Sequence, residues 1–455
     1  MPSMSGPAQV GAALAEAVVD GLTEVKRDSR GAKHELHVFR HEPTDGTAAI
    51  FNKTSPSKPF NMRGNLTAER DVNDDPKWQG RFPRNDIISL LDVNRRYNLA
   101  ESTAQDLTFG EILELAGGAE ALAGLKMGYG SSQGLPRLRA LVASLTGVQP
   151  DEVITTQGVA LGLFLLAYEL CRPGDEAVIA TPCFPPSRDS LVGAGVALRE
   201  CRLTFEGGYQ LTAERLAPLL NERTKLISIA SPQNPSGVRA KLSEIEKILD
   251  LMRSKAPRAR LFVDETYRDA TYGDDLPPPS AATLDDLVIT GGSVSKAHGA
   301  PGLRVGWLTV RDAKLRERLA TAKMNIVISG SPLDETLAAV VLDHRDHILR
   351  ARRGLLAMGR DMVAAWVERQ KGRVDWVKPD GGALCCLRLS PKAFDKAGVA
   401  RFWAALPKAE LQIGDGAWFG ESSSVLRLGF GYLPIEILPA ALDALSQAVE
   451  AAARP

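Results

Sequence analysis

No sign of charge predominates in this chain: lysine and arginine together number 55, and so do aspartate and glutamate. Without a net field nothing draws the protein to nucleic acid or to an anionic membrane, so neither is expected as a partner. Cysteine is scarce and odd in number. Cys171, Cys183, Cys201, Cys385 and Cys386 lack paired metal-ligand spacing, which speaks against a disulfide scaffold or a metal module and for reduced thiols in a cytoplasmic protein. Long apolar runs are missing too. The longest, Val159 to Tyr168, is interrupted by Gly162 and is too short to span a bilayer, so it reads as a buried helix. The N-terminal Ala-rich run carries Glu16 and Asp20 and no basic segment, unlike a secretory signal.

What is present is enough apolar residue, 44% of 455, to bury a large core in two or more domains. Residues 1–84 mix Gly, Pro, Asn and charge and read as an N-terminal extension, with one short helix expected over Ala8 to Val25. From Leu135 helix and strand patterns alternate. A helical Leu135 to Leu145 precedes a strand-like Glu152 to Thr155, the apolar helix, and a short buried strand at Glu176 to Ala180. Leu226 to Ala230, the amphipathic Ser243 to Arg253, Arg260 to Val263 and Leu287 to Thr290 continue the series. This predicts an α/β fold with a mostly parallel sheet covered by helices. A helix-rich tail from about Arg311, with strand candidates at Gly382 to Leu389 and Ser424 to Leu428, suggests a smaller α+β domain. The expected division is an arm over 1–84, the first part of the small domain with a linker over 85–125, the large domain over 126–320 and the rest of the small domain over 321–455.

In open α/β sheets ligand groups gather where strands end and helices begin. Lys296 lies in a glycine-punctuated loop after a β-rich run, with the hydroxyls of Ser293 and Ser295 before it and the guanidinium of Arg304 after it. That set could hold an aldehyde as a Schiff base together with its phosphate group, which suggests pyridoxal phosphate. Gly158-Val159-Ala160 opens the apolar helix, and its free N–H groups would accept a phosphate. Asp264 ends a buried strand, where a carboxylate could keep a pyridine nitrogen protonated, and Tyr267 follows three residues on. Arg427 sits inside an apolar strand and needs a partner, either a salt bridge of its own or a ligand carboxylate.

Taken together, these residues resemble the class I/II aminotransferases, the fold type I pyridoxal phosphate enzymes, in family order from Tyr129 to Arg427. The resemblance implies that Lys296 carries the cofactor and acts as general base, that Gly158, Ser293 and Arg304 hold the phosphate, and that Asp264 and Tyr267 tune the ring. It further implies that Phe184 stacks on that ring and that Asn234, in the Asn-Pro-x-Gly turn, donates to its phenolic oxygen. Arg427 would clamp the substrate carboxylate, and Tyr129 would reach the phosphate of a neighbouring subunit in a homodimer with shared sites. A packed core phenylalanine and a tyrosine on its own subunit's surface are the plain alternatives for Phe184 and Tyr129. His298 reads as loop packing.

The reaction expected first is transamination of an α-amino acid. The alternative rests on Asn98-Leu99-Ala100-Glu101, which resembles the Leu-Ala-Glu-Asn segment of 1-aminocyclopropane-1-carboxylate synthases, with Ser102 replacing their asparagine. Glu101 could then face a cationic substrate such as S-adenosylmethionine, and the outcome would be γ-elimination, replacement or cyclisation. A non-catalytic regulator of this fold is disfavoured: the first 84 residues hold neither a helix-turn-helix pattern nor a basic patch.

Overall fold

A computed structural model describes residues 80–93 and 95–453. The helix expected over Ala8 to Val25 lies outside the described residues. Among the described residues twelve strands form two sheets. The larger has seven strands in the order β2 (Val153–Thr156), β8 (Gly306–Val310), β7 (Val288–Ser293), β6 (Arg260–Asp264), β5 (Thr224–Ala230), β3 (Glu176–Thr181) and β4 (Ala197–Arg202). Every pairing in it is parallel except the two made by β8. The second sheet runs β1 (Tyr97–Leu99), β11 (Leu411–Asp415), β12 (Val425–Gly429), β10 (Leu384–Leu389) and β9 (Val374–Val377). Here only β1 and β11 pair in parallel, so a three-residue strand near residue 100 is closed into a sheet made otherwise of the C-terminal third.

The helices of seven residues or more are α1 (Phe109–Leu115), α2 (Pro136–Thr146), α3 (Gly158–Leu170), α4 (Pro185–Gly193), α5 (Leu242–Lys255), α6 (Ala313–Val327), α7 (Pro332–Asp343), α8 (Arg345–Arg369), α9 (Lys396–Ala405) and α10 (Leu438–Ala452). The apolar run is α3, packed with β-strand residues such as Ile154, Ile289 and Leu308. On α5 the buried side chains Ile245, Ile248, Leu249 and Met252 recur at helical spacing and face Ile227, Leu261 and Val263 of the same sheet. The α/β alternation read from the sequence is therefore present, with strand positions shifted by a residue or two at their ends. Five strands carried no usable pattern, the short β1 and β9 among them. β4 is an edge strand with exposed charged residues, β8 is a short, wholly buried run entered through Gly306, and β11 is a five-residue run in the helix-rich tail.

All five cysteines are buried and unpaired. Among the described residues no helix is long and apolar enough to cross a membrane, and no group of metal-ligating side chains is found.

Trp366 on α8 anchors the core beneath the five-stranded sheet. It is fully buried among Leu387, Leu428 and Leu445, and its indole N–H donates to Ser446 Oγ at 2.8 Å. Trp366→Ala should cost about 3–5 kcal/mol of unfolding free energy in denaturant titrations. A loss under about 1 kcal/mol would contradict this packing.

Candidate active site

Register aligns the strand ends of the seven-stranded sheet. Thr156 of β2, Gly306 of β8 and Ser293 of β7 lie side by side, as do Ala230 of β5, Asp264 of β6 and Gly291 of β7. The segments that leave β2, β5, β6 and β7 therefore open on one rim, where the sequence puts Gly158, Asn234, Tyr267 and Lys296.

At one end of this rim α3 begins at Gly158, whose φ is +68°, a left-handed value that disfavours any side chain. A Cβ there would lie 2.7 Å from Arg304 Nη2, and a Cβ on Gly306 would lie 2.8 Å from the Gly158 carbonyl carbon. Arg304 itself is left-handed, with φ 52° and ψ 36°, and its Nη1 donates to Pro301 O at 3.0 Å. Ser293, buried beside Gly306, accepts from the Ser295 N–H at 3.3 Å. The N-terminus of α3 at Gly158, the Arg304 guanidinium and, across Gly306, Ser293 thus lie close together, a set of donors that could hold a phosphate.

Next to it stands Lys296. Its Nζ donates to Ser102 Oγ at 3.4 Å and lies 5.9 Å from the centroid of the Tyr267 ring. Ser102 Oγ is in turn 2.8 Å from Tyr267 Oη. Asp264 accepts from the Thr266 N–H at 3.0 Å. Burial pushes its carboxyl above the usual carboxylate range, with the Thr266 hydrogen bonds and the charge of Lys296 pulling the other way. A carboxylate at this partly buried strand end, near Lys296, is suited to a cationic ring nitrogen.

Arg427 reaches the site from the other sheet. It is 2% exposed, its Nη1 donates to Asn234 Oδ1 at 3.1 Å and its Nη2 to Ala100 O at 2.6 Å. The guanidinium carbon stands 4.6 Å from the Phe419 ring centroid, and Nε has no hydrogen-bond partner. Burial lowers the Arg427 pKa, and the nearby Tyr267 and Glu101 counter that effect. Because Asn234 spends Oδ1 on Arg427, its Nδ2 is turned the other way, available as a donor.

The segment carrying Glu101 and Ser102 is fastened along the lysine loop. Ala104 N donates to Lys296 O at 3.3 Å and Leu107 N to Gly299 O at 2.6 Å. Arg352 of α8 ties both strands of this contact, donating to Ala297 O at 3.1 Å and Gln105 O at 2.7 Å. Glu101 is partly buried and acts electrostatically on Arg427, Asp106 and Tyr432.

Lys296, Asp264, Tyr267, Asn234, Arg427 and Glu101 are thus brought together. Phe184 is partly buried at the head of α4 and packs against the cluster containing Leu163 and Leu191. Tyr129 does not join the group within one chain: it is 86% exposed. His298 is buried below the lysine loop with Nε2 3.6 Å from Asp269 Oδ2, and burial pushes its pKa down to about 4. Ser102, Arg352 and Phe419 carried no sequence signal beyond the substitution noted at Ser102, because each is delivered from a distant part of the chain.

Residues 98–445 match the family model for aminotransferase class I and II. The chain belongs to the class I and II aminotransferase family. A capreomycidine synthase of Streptomyces vinaceus is 32% identical over 68% of this chain and 79% of its own length. An arginine–pyruvate transaminase of Pseudomonas aeruginosa is 26% identical over 66% of this chain and 77% of its own. The crystal structure of a pyridoxal phosphate-dependent aminotransferase from Streptococcus suis superposes with a TM-score of 0.74 at 25% identity, covering 82% of this chain and 98% of that one. This aminotransferase-family chain is accordingly a pyridoxal phosphate-dependent enzyme, as its glycine-lined cradle and strand-end carboxylate fit.

The raised Asp264 pKa has a signed consequence for the cofactor-free enzyme. Above the folded-state pKa the ionised carboxyl carries its full burial cost; as pH falls through that value the folded form takes up a proton before the unfolded form does, so stability rises. Cofactor-free Asp264→Asn should therefore melt roughly 1–3 °C above the parent near pH 8, with the gap closing toward acid pH. A gap that does not change with pH, or a less stable variant throughout, would contradict the burial of this carboxylate.

Proposed function

We propose that this enzyme transfers the amino group of an α-amino acid, with Arg427 holding the substrate carboxylate and Lys296 moving the α-proton. The observation that carries the reading is the meeting of Lys296 and Arg427, one from each sheet, around Tyr267 and Asn234. Bound pyridoxal phosphate supplies an electron sink for the α-carbanion. The rim residues Gly158, Val159, Ala160, Ser293, Ser295 and Arg304 would bind the phosphate, and Asp264 would meet the ring nitrogen. Tyr267 and Asn234 Nδ2 would donate to the phenolic oxygen, and Phe184 would pack on the ring. The Arg427 guanidinium, held by Asn234 Oδ1 and Ala100 O, binds the carboxylate, which fixes the α-carbon relative to Lys296 Nζ.

Beyond the α-carbon the substrate meets negative charge. Glu101 and Asp106 lie on the segment beside Lys296, so a side chain bearing a cationic group is favoured, in keeping with the likeness to an arginine–pyruvate transaminase. A second reading has support of its own. The greater identity to a capreomycidine synthase, and the segment Leu99-Ala100-Glu101 despite Ser102 in place of asparagine, favour α-deprotonation followed by elimination, replacement or cyclisation, with S-adenosylmethionine or another cationic amino acid as substrate. The exposed Tyr129 supports a homodimer in which each copy lends this side chain to the other's phosphate site.

Mass spectrometry of holoenzyme incubated with basic amino acids, with and without pyruvate or 2-oxoglutarate, tests the choice. Transamination requires that nitrogen move to the oxo acid; a product formed without any oxo acid supports the second reading. In the same assay Arg427→Ala should raise the amino-acid KM at least about 100-fold while the cofactor's visible absorbance persists. An unchanged KM would remove Arg427 from the substrate site.

A further inference from the structure

We infer that Ser102 is a catalytic residue that holds Lys296 Nζ and orients the Tyr267 hydroxyl, making one hydrogen-bonded chain of the three groups. The inference deepens the reading above and rests on Lys296 as the reacting amine.

Ser102 Oγ is the hydrogen-bond acceptor of Lys296 Nζ, at 3.4 Å, and lies 2.8 Å from Tyr267 Oη. Both hydroxyl residues are buried, Ser102 2% and Tyr267 5% exposed, so each bond forms away from competing water. A serine hydroxyl has one proton and two lone pairs. Nζ occupies one lone pair, which leaves the other lone pair or the serine proton for Tyr267 Oη; where Ser102 donates, the phenolic proton points away from Ser102. The same bond serves the neutral amine. With one N–H directed at Ser102, the Nζ lone pair is turned away from Ser102 and is free to take a proton.

The backbone is built to keep Ser102 there. Asn98 Oδ1 accepts from the N–H groups of Ala100 and Glu101 at 3.0 and 3.2 Å, Arg427 grips Ala100 O, and Ala104 N bonds Lys296 O. On the far side Gly429 leaves no freedom, since a Cβ there would sit 1.6 Å from Glu101 O. Ser102 is thus fixed from both flanks. An asparagine at this position, as in the synthases that the segment resembles, would bring a longer side chain into the same buried space, so serine sets a different partner geometry for the lysine.

The test compares Ser102→Ala with Ser102→Thr, which keeps the hydroxyl, with thermal melting confirming that both fold. In cofactor-free protein, labelling of Lys296 by an amine-reactive reagent is followed by peptide mass spectrometry, a readout that needs neither cofactor nor substrate. Loss of the hydrogen bond should speed labelling about three- to tenfold in Ser102→Ala. In holoenzyme kcat should fall about ten- to 100-fold with KM for the amino acid unchanged. Ser102→Thr should bring both quantities back to within about threefold of the parent. Tyr267→Phe combined with Ser102→Ala should cost less than the product of the separate losses, because the two act in one chain. Unchanged labelling in Ser102→Ala would overturn the Ser102–Lys296 bond whatever reaction the enzyme runs. Faster labelling with an unaltered kcat would overturn its part in catalysis and leave the aminotransferase reading untouched.

Discussion

The site depends on one constraint, the common rim at which the parallel strands of the seven-stranded sheet end. Thr156, Gly306 and Ser293 are in register, and so are Ala230, Asp264 and Gly291. Parallel pairing makes every strand end at the same edge, so four loops that are far apart in sequence must share it. A helix N-terminus, a buried carboxylate, a lysine and an asparagine turn arrive there with their backbones already held by sheet hydrogen bonds. The one antiparallel member, β8, carries the chain straight back from the lysine loop, and its first residue, Gly306, passes against Gly158 where no side chain would fit.

The second constraint is the contact between the two sheets. Arg427 lies in the middle of β12, yet its guanidinium is shared between Ala100 O and Asn234 Oδ1. A buried guanidinium with these neutral partners is costly unless an anion joins them, which is the electrostatic reason to expect a carboxylate there. The segment from Asn98 to Leu107 completes the wall. It leaves the five-stranded sheet, passes under Arg427, presents Ser102 to Lys296 and runs along the lysine loop under the hold of Arg352. Arg427, Lys296 and the acidic side chains nearby are thereby tied to a single stretch of ten residues.

Much of this was legible in the sequence, and the reason is local. Buried parallel strands read as short apolar runs, and their ends carry residues such as Asp264, Asn234 and Lys296 whose chemistry stands out at a strand end. Helices α3 and α5 declared themselves by an apolar run and by the spacing of Ile245, Ile248, Leu249 and Met252. What was illegible depended on distance. β1 is three residues long and becomes a strand only by pairing with β11, more than 300 residues later. Arg352 looks like any basic residue on a long helix until its two carbonyl partners are seen. Ser102 was visible as a departure from a related motif, but its contact with Tyr267 spans 165 residues and no periodicity could reveal it.

Removal of the α-proton by Lys296 from an amino acid held by Arg427 is the step that both proposed reactions share. Exchange of the α-hydrogen with deuterium oxide, followed by proton NMR on basic amino acids with no oxo acid present, reads that step alone. The account predicts catalytic exchange by holoenzyme and a loss of at least about 1,000-fold in Lys296→Ala reconstituted with pyridoxal phosphate. Exchange that survives undiminished in Lys296→Ala, or is absent for every amino acid with the parent enzyme, would contradict it.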